Sequence, residues 1–199
     1  MATVFFLIAV AIGAALVALL LATLMVPQLR FWPTPGTRSW QDFAFWPLFR
    51  GLNLLCFAVA ATDTGRVLGL PLWARLAMLG LLVAAVLLFR YAFNKLGRDN
   101  SYCAQDGLVT GGIYQWSRNP QNAMLMVVYA CLAIAADGPR AYLVCALMVT
   151  AYALMVLAEE PWLASIYGEP YREYCRKVPR FFNWARLFSG PREEASPGR

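Results

Sequence analysis

Two short polar clusters flank an apolar stretch in the C-terminal half of the chain, and their residue types suit a charged small molecule. The first is Gly112-Ile113-Tyr114-Gln115-Trp116-Ser117-Arg118-Asn119-Pro120-Gln121; the second, about forty residues on, is Glu159-Glu160-Pro161. A guanidinium forks a carboxylate, and a glutamate accepts from an amino group or a ribose diol, so Arg118 with Glu159 and Glu160 complements a zwitterion. Asn119-Pro120 has the signature of a helix start, with Asn capping and Pro in the first turn. The unpaired N–H groups of such a start favour an anionic group. Charge beside hydrocarbon is costly and by default marks a functional site. The bland alternative for the same residues is a structural ion pair between Arg118 and Glu160 at the membrane interface.

The elements that must position these clusters are membrane helices. The 199 residues are 60% hydrophobic and 14% charged, with a mean hydropathy of +0.54, far from the composition of a soluble domain. A crossing takes ~20 apolar residues, and five segments meet or approach that, at roughly 3–26, 43–62, 72–93, 120–137 and 140–160. The expected fold is therefore all-α, a polytopic helical membrane protein of about five transmembrane helices with a C-terminal amphipathic helix. Asp137-Gly138-Pro139 is a tight turn, so the last two spans form an antiparallel hairpin. Both ends of that hairpin return to one face, which brings Arg118 and Asn119 beside Glu159 and Glu160. Beyond it, Glu160 to Phe182 is amphipathic and bends at Gly168-Glu169-Pro170 into an interfacial helix.

Residues 1–93 carry the N-terminal transmembrane helices and 94–188 the connecting loop, the hairpin and the C-terminal helix. The tail 189–199 has a disordered composition. No polar stretch is long enough to fold alone, so the whole is one membrane domain. The apolar run from Thr3 to Val26 has no basic residue before it and exceeds a signal-peptide core, which predicts a retained first helix. With five spans, 14 of the 17 basic residues fall on one face and only Arg66, Arg75 and Arg140 on the other. That asymmetry predicts a cytoplasmic C-terminus and an N-terminus outside. It also accounts for the net charge of +6 without nucleic acid. Histidine is absent, and Cys56, Cys103, Cys131, Cys145 and Cys175 show no paired spacing, so no metal or haem site is expected.

An ordered set of motifs spans about residues 94–182. It runs Gly107-Leu108-Val109-Thr110-Gly111-Gly112-Ile113-Tyr114, then Arg118-Asn119-Pro120, Glu159-Glu160, Tyr167-Gly168-Glu169-Pro170-Tyr171-Arg172-Glu173-Tyr174 and Val178-Pro179-Arg180. This set resembles the isoprenylcysteine carboxyl methyltransferase family and the wider group of phospholipid methyltransferases. Asn119 stands where the former carries His, and Asn122 where a Tyr is usual; Asn at the first place is similar to the phospholipid branch.

The resemblance implies S-adenosyl-L-methionine held at the cytoplasmic ends of the last two spans. Leu108 and Val109 would form the adenine wall, and Gly112 and Tyr114 would line the pocket. Arg118, Asn119 and Pro120 would hold its polar groups, and Glu159 and Glu160 its amino or ribose end. Asn100, Tyr171 and Arg172 are candidates for the acceptor, though Tyr171 and Tyr174 equally suit an interfacial anchor. Glu159 and Arg118 are the candidate catalytic pair, since an amine acceptor must be deprotonated whereas a carboxylate need not be. The expected acceptor is a lipid or lipid-linked molecule reached from the bilayer, either a phospholipid amine or a prenylcysteine-like carboxylate. Two other readings stay open: a membrane-embedded NADPH-dependent reductase, and a small non-enzymatic membrane subunit.

Overall fold

The apolar runs are helices. The computed structural model describes residues 2–26, 28–36, 38–63, 65–97 and 107–182, so Asn100, Cys103 and the tail 189–199 lie outside the described residues. Helices α1 (Ala2–Met25), α2 (Trp40–Thr62), α3 (Leu72–Leu96), α4 (Pro120–Ala136), α5 (Pro139–Tyr167) and α6 (Glu169–Lys177) follow in order, with a 3₁₀ turn at Gly112–Gln115 before α4. Four of them, α1, α2, α3 and α5, are long and apolar enough to cross a membrane. With 17 residues, α4 is only ~25 Å long, short of a full bilayer core. It nevertheless carries the chain from the Arg118 end of the bundle to the opposite end. The protein is an integral membrane protein of polytopic helical architecture.

The helix boundaries follow local chemistry. Ser39 caps α2 by accepting from the Asp42 amide at 3.2 Å, while α4 and α5 each begin at a proline whose missing N–H costs nothing there. Asp137 adopts a left-handed φ of 57° between them and turns the pair into the expected hairpin. The expected bend also appears: α5 runs on through Pro161 to Tyr167, and Gly168 at φ 59° separates it from α6.

The last long helix, α5, is the centre of the bundle, touching α1, α2, α4 and α6, while α3 packs chiefly on α4. Buried Ala9, Gly13, Leu16 and Leu20 form one seam along α1. A Cβ at Gly13 would lie 2.9 Å from Leu147 of α5, so a small residue lets these two helices approach. By contrast, α3 buries only Ala85 and Ala92, leaving an apolar face for lipid.

Far from the two polar clusters, two aspartates lock the other end. Asp63, after α2, accepts from the Arg140 and Ala141 amides at the start of α5, at 2.9 and 3.0 Å. Asp137, after α4, accepts from the Leu68 and Leu70 amides at 2.8 and 3.0 Å. Arg75 donates to the carbonyls of Ala135 and Ala136 at 2.6 and 3.2 Å, satisfying the last turn of α4. Gly138 has no room for a side chain, because a Cβ there would meet the Asp63 carboxylate at 2.1 Å.

Replacing Asp63 by Ala removes a helix cap supplied from outside the helix and should lower stability by ~1–2 kcal/mol, read by thermal melting in detergent. The Leu68 amide, helped by that of Leu70, holds the Asp137 carboxyl below its ordinary value although burial opposes it. Its contribution is therefore present at neutral pH and is lost as pH falls through the lowered value. Melting of the parent should drop in acid, and Asp137→Asn should flatten that drop.

Candidate functional site

The hairpin brings the two polar clusters together as expected, but the two neighbouring glutamates do different things. Successive residues of a helix point about 100° apart, so α5 turns Glu160 toward the start of α4 and Glu159 toward the interior of the bundle. Glu160 is buried. Arg118 donates to its Oε1 through Nε and Nη2 at 3.2 and 2.9 Å, and the Asn119 amide adds a third bond at 3.2 Å. Arg180 holds Oε2 through Nε and Nη2 at 2.9 and 2.8 Å.

The same groups fasten the chain beyond α6. Arg118 Nη1 donates to the carbonyls of Cys175 and Val178 at 2.9 and 3.1 Å, and the Arg118 amide to Pro179 at 3.0 Å. Asn119 Nδ2 donates to the Arg180 carbonyl at 3.2 Å. Asn119 occupies the N-cap position of α4, yet its side chain makes no cap bond. Its amide is committed to Glu160 and Arg180 instead, so the expected Asn cap is replaced by a tie across three elements.

Glu159 lines a cavity of about 400 Å³ at this end of the bundle, within the size range of small-molecule sites. The Trp32 indole N–H reaches its Oε2 at 3.4 Å. Among the described residues it is the one carboxylate in the lining. The guanidinium of Arg118 and the amides of Asn53, Asn119, Gln121 and Asn122 add further polar groups. The walls are largely aromatic, with Trp32, Trp46 and Phe49 on one side, Phe89 and Phe93 of α3 on another, and Trp162, Tyr167, Tyr171 and Tyr174 on the third. The deep end reaches Asn53, Leu125, Tyr152 and Met155 inside the membrane-spanning bundle. Asn53 is fixed there by the Tyr129 hydroxyl, which donates to its side-chain oxygen.

Of the residues singled out from sequence, Leu108, Val109, Tyr114, Arg118, Asn119, Glu159 and Tyr171 line this cavity. Pro120 is buried at the first turn of α4 just behind it. Gly112 opens the 3₁₀ turn at φ 63° without lining the cavity. Glu160 lies behind the wall, and Arg172 is on the outer face of α6, pairing with Glu169 at 3.5 Å. The tyrosines brace the turn. Tyr174 donates to the Tyr114 carbonyl at 2.5 Å, and the Tyr114 hydroxyl donates to Ala92 at 3.5 Å while accepting from Gln121 at 3.0 Å. Burial pushes the Tyr114, Tyr171 and Tyr174 hydroxyls up, the nearby Glu160 charge adding to it at Tyr171. They remain protonated donors.

Sequence reasoning assigned no part to the first two helices, yet Trp46, Phe49 and Asn53 come from α2 and Trp32 from the loop before it. Trp32 is anchored by stacking on Phe45 at 4.4 Å between centroids. An aromatic-rich segment beside an interface was the available signal, but aromatic belts give the same signal in any membrane protein. Arg180 was visible in the Val178-Pro179-Arg180 motif without an assigned partner.

The phospholipid methyltransferase family model matches residues 63–170. No curated protein and no solved structure matches the chain.

The geometry separates a framework carboxylate from an accessible one. Glu160→Gln leaves the mostly buried Arg118 without its counter-charge, and the half-exposed Arg180 without its partner, and should lower stability by ~3 kcal/mol. Glu159→Gln should melt like the parent. Equal melting of the two variants would contradict this division.

Proposed function

Because the chain belongs to the phospholipid methyltransferase family, we propose that it transfers a methyl group from S-adenosylmethionine to a membrane lipid, with an amine as the acceptor. The observation that carries the reading is Glu159, among the described residues the one carboxylate of a largely aromatic cavity whose one guanidinium, Arg118, is already engaged by Glu160 and two carbonyls. A carboxylate acceptor would meet like charge there. An amine meets a proton acceptor and ring faces that attract the cation it becomes.

The residues present suit the cofactor. Leu108 and Val109 offer an apolar wall to an adenine, and Glu159 accepts from an amino group or a ribose diol. Asn119, Gln121 and Asn122 supply amide groups nearby. When bound, S-adenosylmethionine supplies a methyl group on a cationic sulfonium, so no side-chain nucleophile is required.

What remains for the protein is alignment and proton removal. Glu159 takes the proton from the acceptor ammonium, because the tyrosines around it are held protonated. Arg118, fully engaged by Glu160 and the two carbonyls, acts as a fixed edge of the cavity. The aromatic walls suit an amphiphilic acceptor, and the apolar side chains of Leu125 and Met155 at the deep end suit its acyl chain. On this reading the cavity end faces the cytoplasm, as does the C-terminus, and the N-terminus lies outside. Arg66, Arg75 and Arg140 belong to the far end, and the basic residues near the cavity far outnumber them.

Protein in vesicles containing phosphatidylethanolamine, supplied with methyl-labelled S-adenosylmethionine, should move label into lipid. Glu159→Gln should slow transfer about a hundredfold, within the usual range for a general base. Phosphoethanolamine, which lacks the chains, forgoes ~0.8 kcal/mol per buried methylene and should react far more slowly. Equal rates for the two acceptors would contradict a lipid substrate. Calorimetric titration should give binding heat with S-adenosylhomocysteine and none with NADPH; the reverse would favour a reductase.

The orientation has its own test. In a cysteine-free background, Arg66→Cys and Lys177→Cys should label from opposite sides of sealed vesicles, with Lys177→Cys on the cytoplasmic side. Labelling from one side would overturn the arrangement.

A further inference from the structure

A second hollow, of about 440 Å³, lies outside the bundle in the angle between α5 and α6. Tyr171 separates it from the first cavity and borders both. Its floor belongs to α5 and is mostly apolar: Leu157, Pro161 and Ala164 follow at helical spacing, leading from the α6 end back into the membrane-spanning stretch, with the Glu160 carboxylate, held by Arg118 and Arg180, at their side. Its rim is cationic. Arg172 and Arg176, one turn apart on α6, are more than half exposed, and Arg180 is 44% exposed.

These three guanidiniums are paired with two carboxylates, and Glu173, itself paired with Lys177, acts on Arg176 as well. Glu169 is shared by Arg172 at 3.5 Å and Arg176 at 2.7 Å, and Glu160 is shared by Arg180 at 2.8 Å and the buried Arg118. The rim therefore carries an excess of positive charge, with donors that suit phosphate oxygens. An apolar floor running into the hydrocarbon beneath a cationic rim at the interface complements one kind of molecule. It matches an acyl chain joined to an anionic phosphodiester.

We propose that this groove binds an anionic phospholipid of the surrounding bilayer, held by Arg172, Arg176 and Arg180, as a site separate from the cavity of Glu159. The acyl chain lies along Leu157, Pro161 and Ala164. Occupancy places the lipid phosphate beside Arg180, the outer holder of Glu160, and so braces the segment that closes the cavity. The proposal does not rest on the methyl-transfer reading, and its test reads bound lipid rather than turnover, so the two fail separately.

The full-length protein in neutral detergent, mixed with phosphatidylglycerol or with phosphatidylcholine, is examined by native mass spectrometry for retained lipid. The parent should hold one phosphatidylglycerol in preference to phosphatidylcholine, and millimolar inorganic phosphate should not displace it. Arg176→Gln should weaken retention about fivefold, the ~1 kcal/mol contributed by one basic residue near an anionic surface. Lys177→Gln removes the same charge one residue away, where Lys177 pairs with Glu173 at 2.7 Å, and should retain lipid like the parent. Both variants should melt with the parent, since these side chains are exposed. Equal retention of the two lipids, displacement by inorganic phosphate, or equal loss in both variants would overturn the site. The last would reduce it to general surface charge.

Discussion

A carboxylate buried at the edge of a membrane needs charge and hydrogen-bond partners, and the whole cavity end is arranged around giving them to Glu160. Removing a carboxylate from water costs several kcal/mol unless opposite charge and donors replace the lost hydration. Here Arg118 and Asn119 take one oxygen and Arg180 the other. Those three residues sit before α4 and after α6, while Glu160 is on α5. Satisfying one charge therefore joins three separate parts of the chain. The carbonyls of Cys175 and Val178 complete the guanidinium of Arg118, and so the segment after α6 is held against the bundle.

That tie explains how Glu159 can be different from its neighbour. Once Glu160 is fixed toward α4, helix geometry directs Glu159 into the cavity, among aromatic rings and amides. The aspartate locks at the far end set the other condition. Asp63 and Asp137 fix the loops that join α2 to α3 and α4 to α5, so the helices bordering the cavity are held at both ends. Between these ends the interior is packed by small residues and aromatics, with Tyr129 and Tyr152 stacked beside Asn53. The stable framework and the accessible site are thus made by different residues, adjacent in sequence at the point where they meet.

Much of this was legible in the chain itself. Long apolar runs and Asp137-Gly138-Pro139 foretold the helices and the hairpin, because span length and turn chemistry are local properties. The hairpin alone brought Arg118 near Glu160. What sequence could not divide was the Glu159-Glu160 pair, since both are glutamates at a membrane edge, and only the rotation of α5 decides which one is buried. The Asn119 side chain was expected to cap α4, a local rule, and a tertiary demand from Glu160 and the Arg180 carbonyl overrode it. Trp32, Trp46 and Phe49 became part of the cavity through long-range packing of α1 and α2 on α5, which no local pattern announces. The outward position of Arg172 likewise depends on the angle at Gly168, where φ is 59°.

The central claim is that Glu159 faces the reacting molecules while Glu160 only holds the walls. A structure of the protein with S-adenosylhomocysteine, determined in a lipid nanodisc, tests it most directly. The account predicts ligand density inside the cavity in contact with Glu159, with the Arg118, Asn119 and Arg180 bonds to Glu160 unchanged. Density in contact with Glu160, with Arg118 turned away from it toward the ligand, would contradict it.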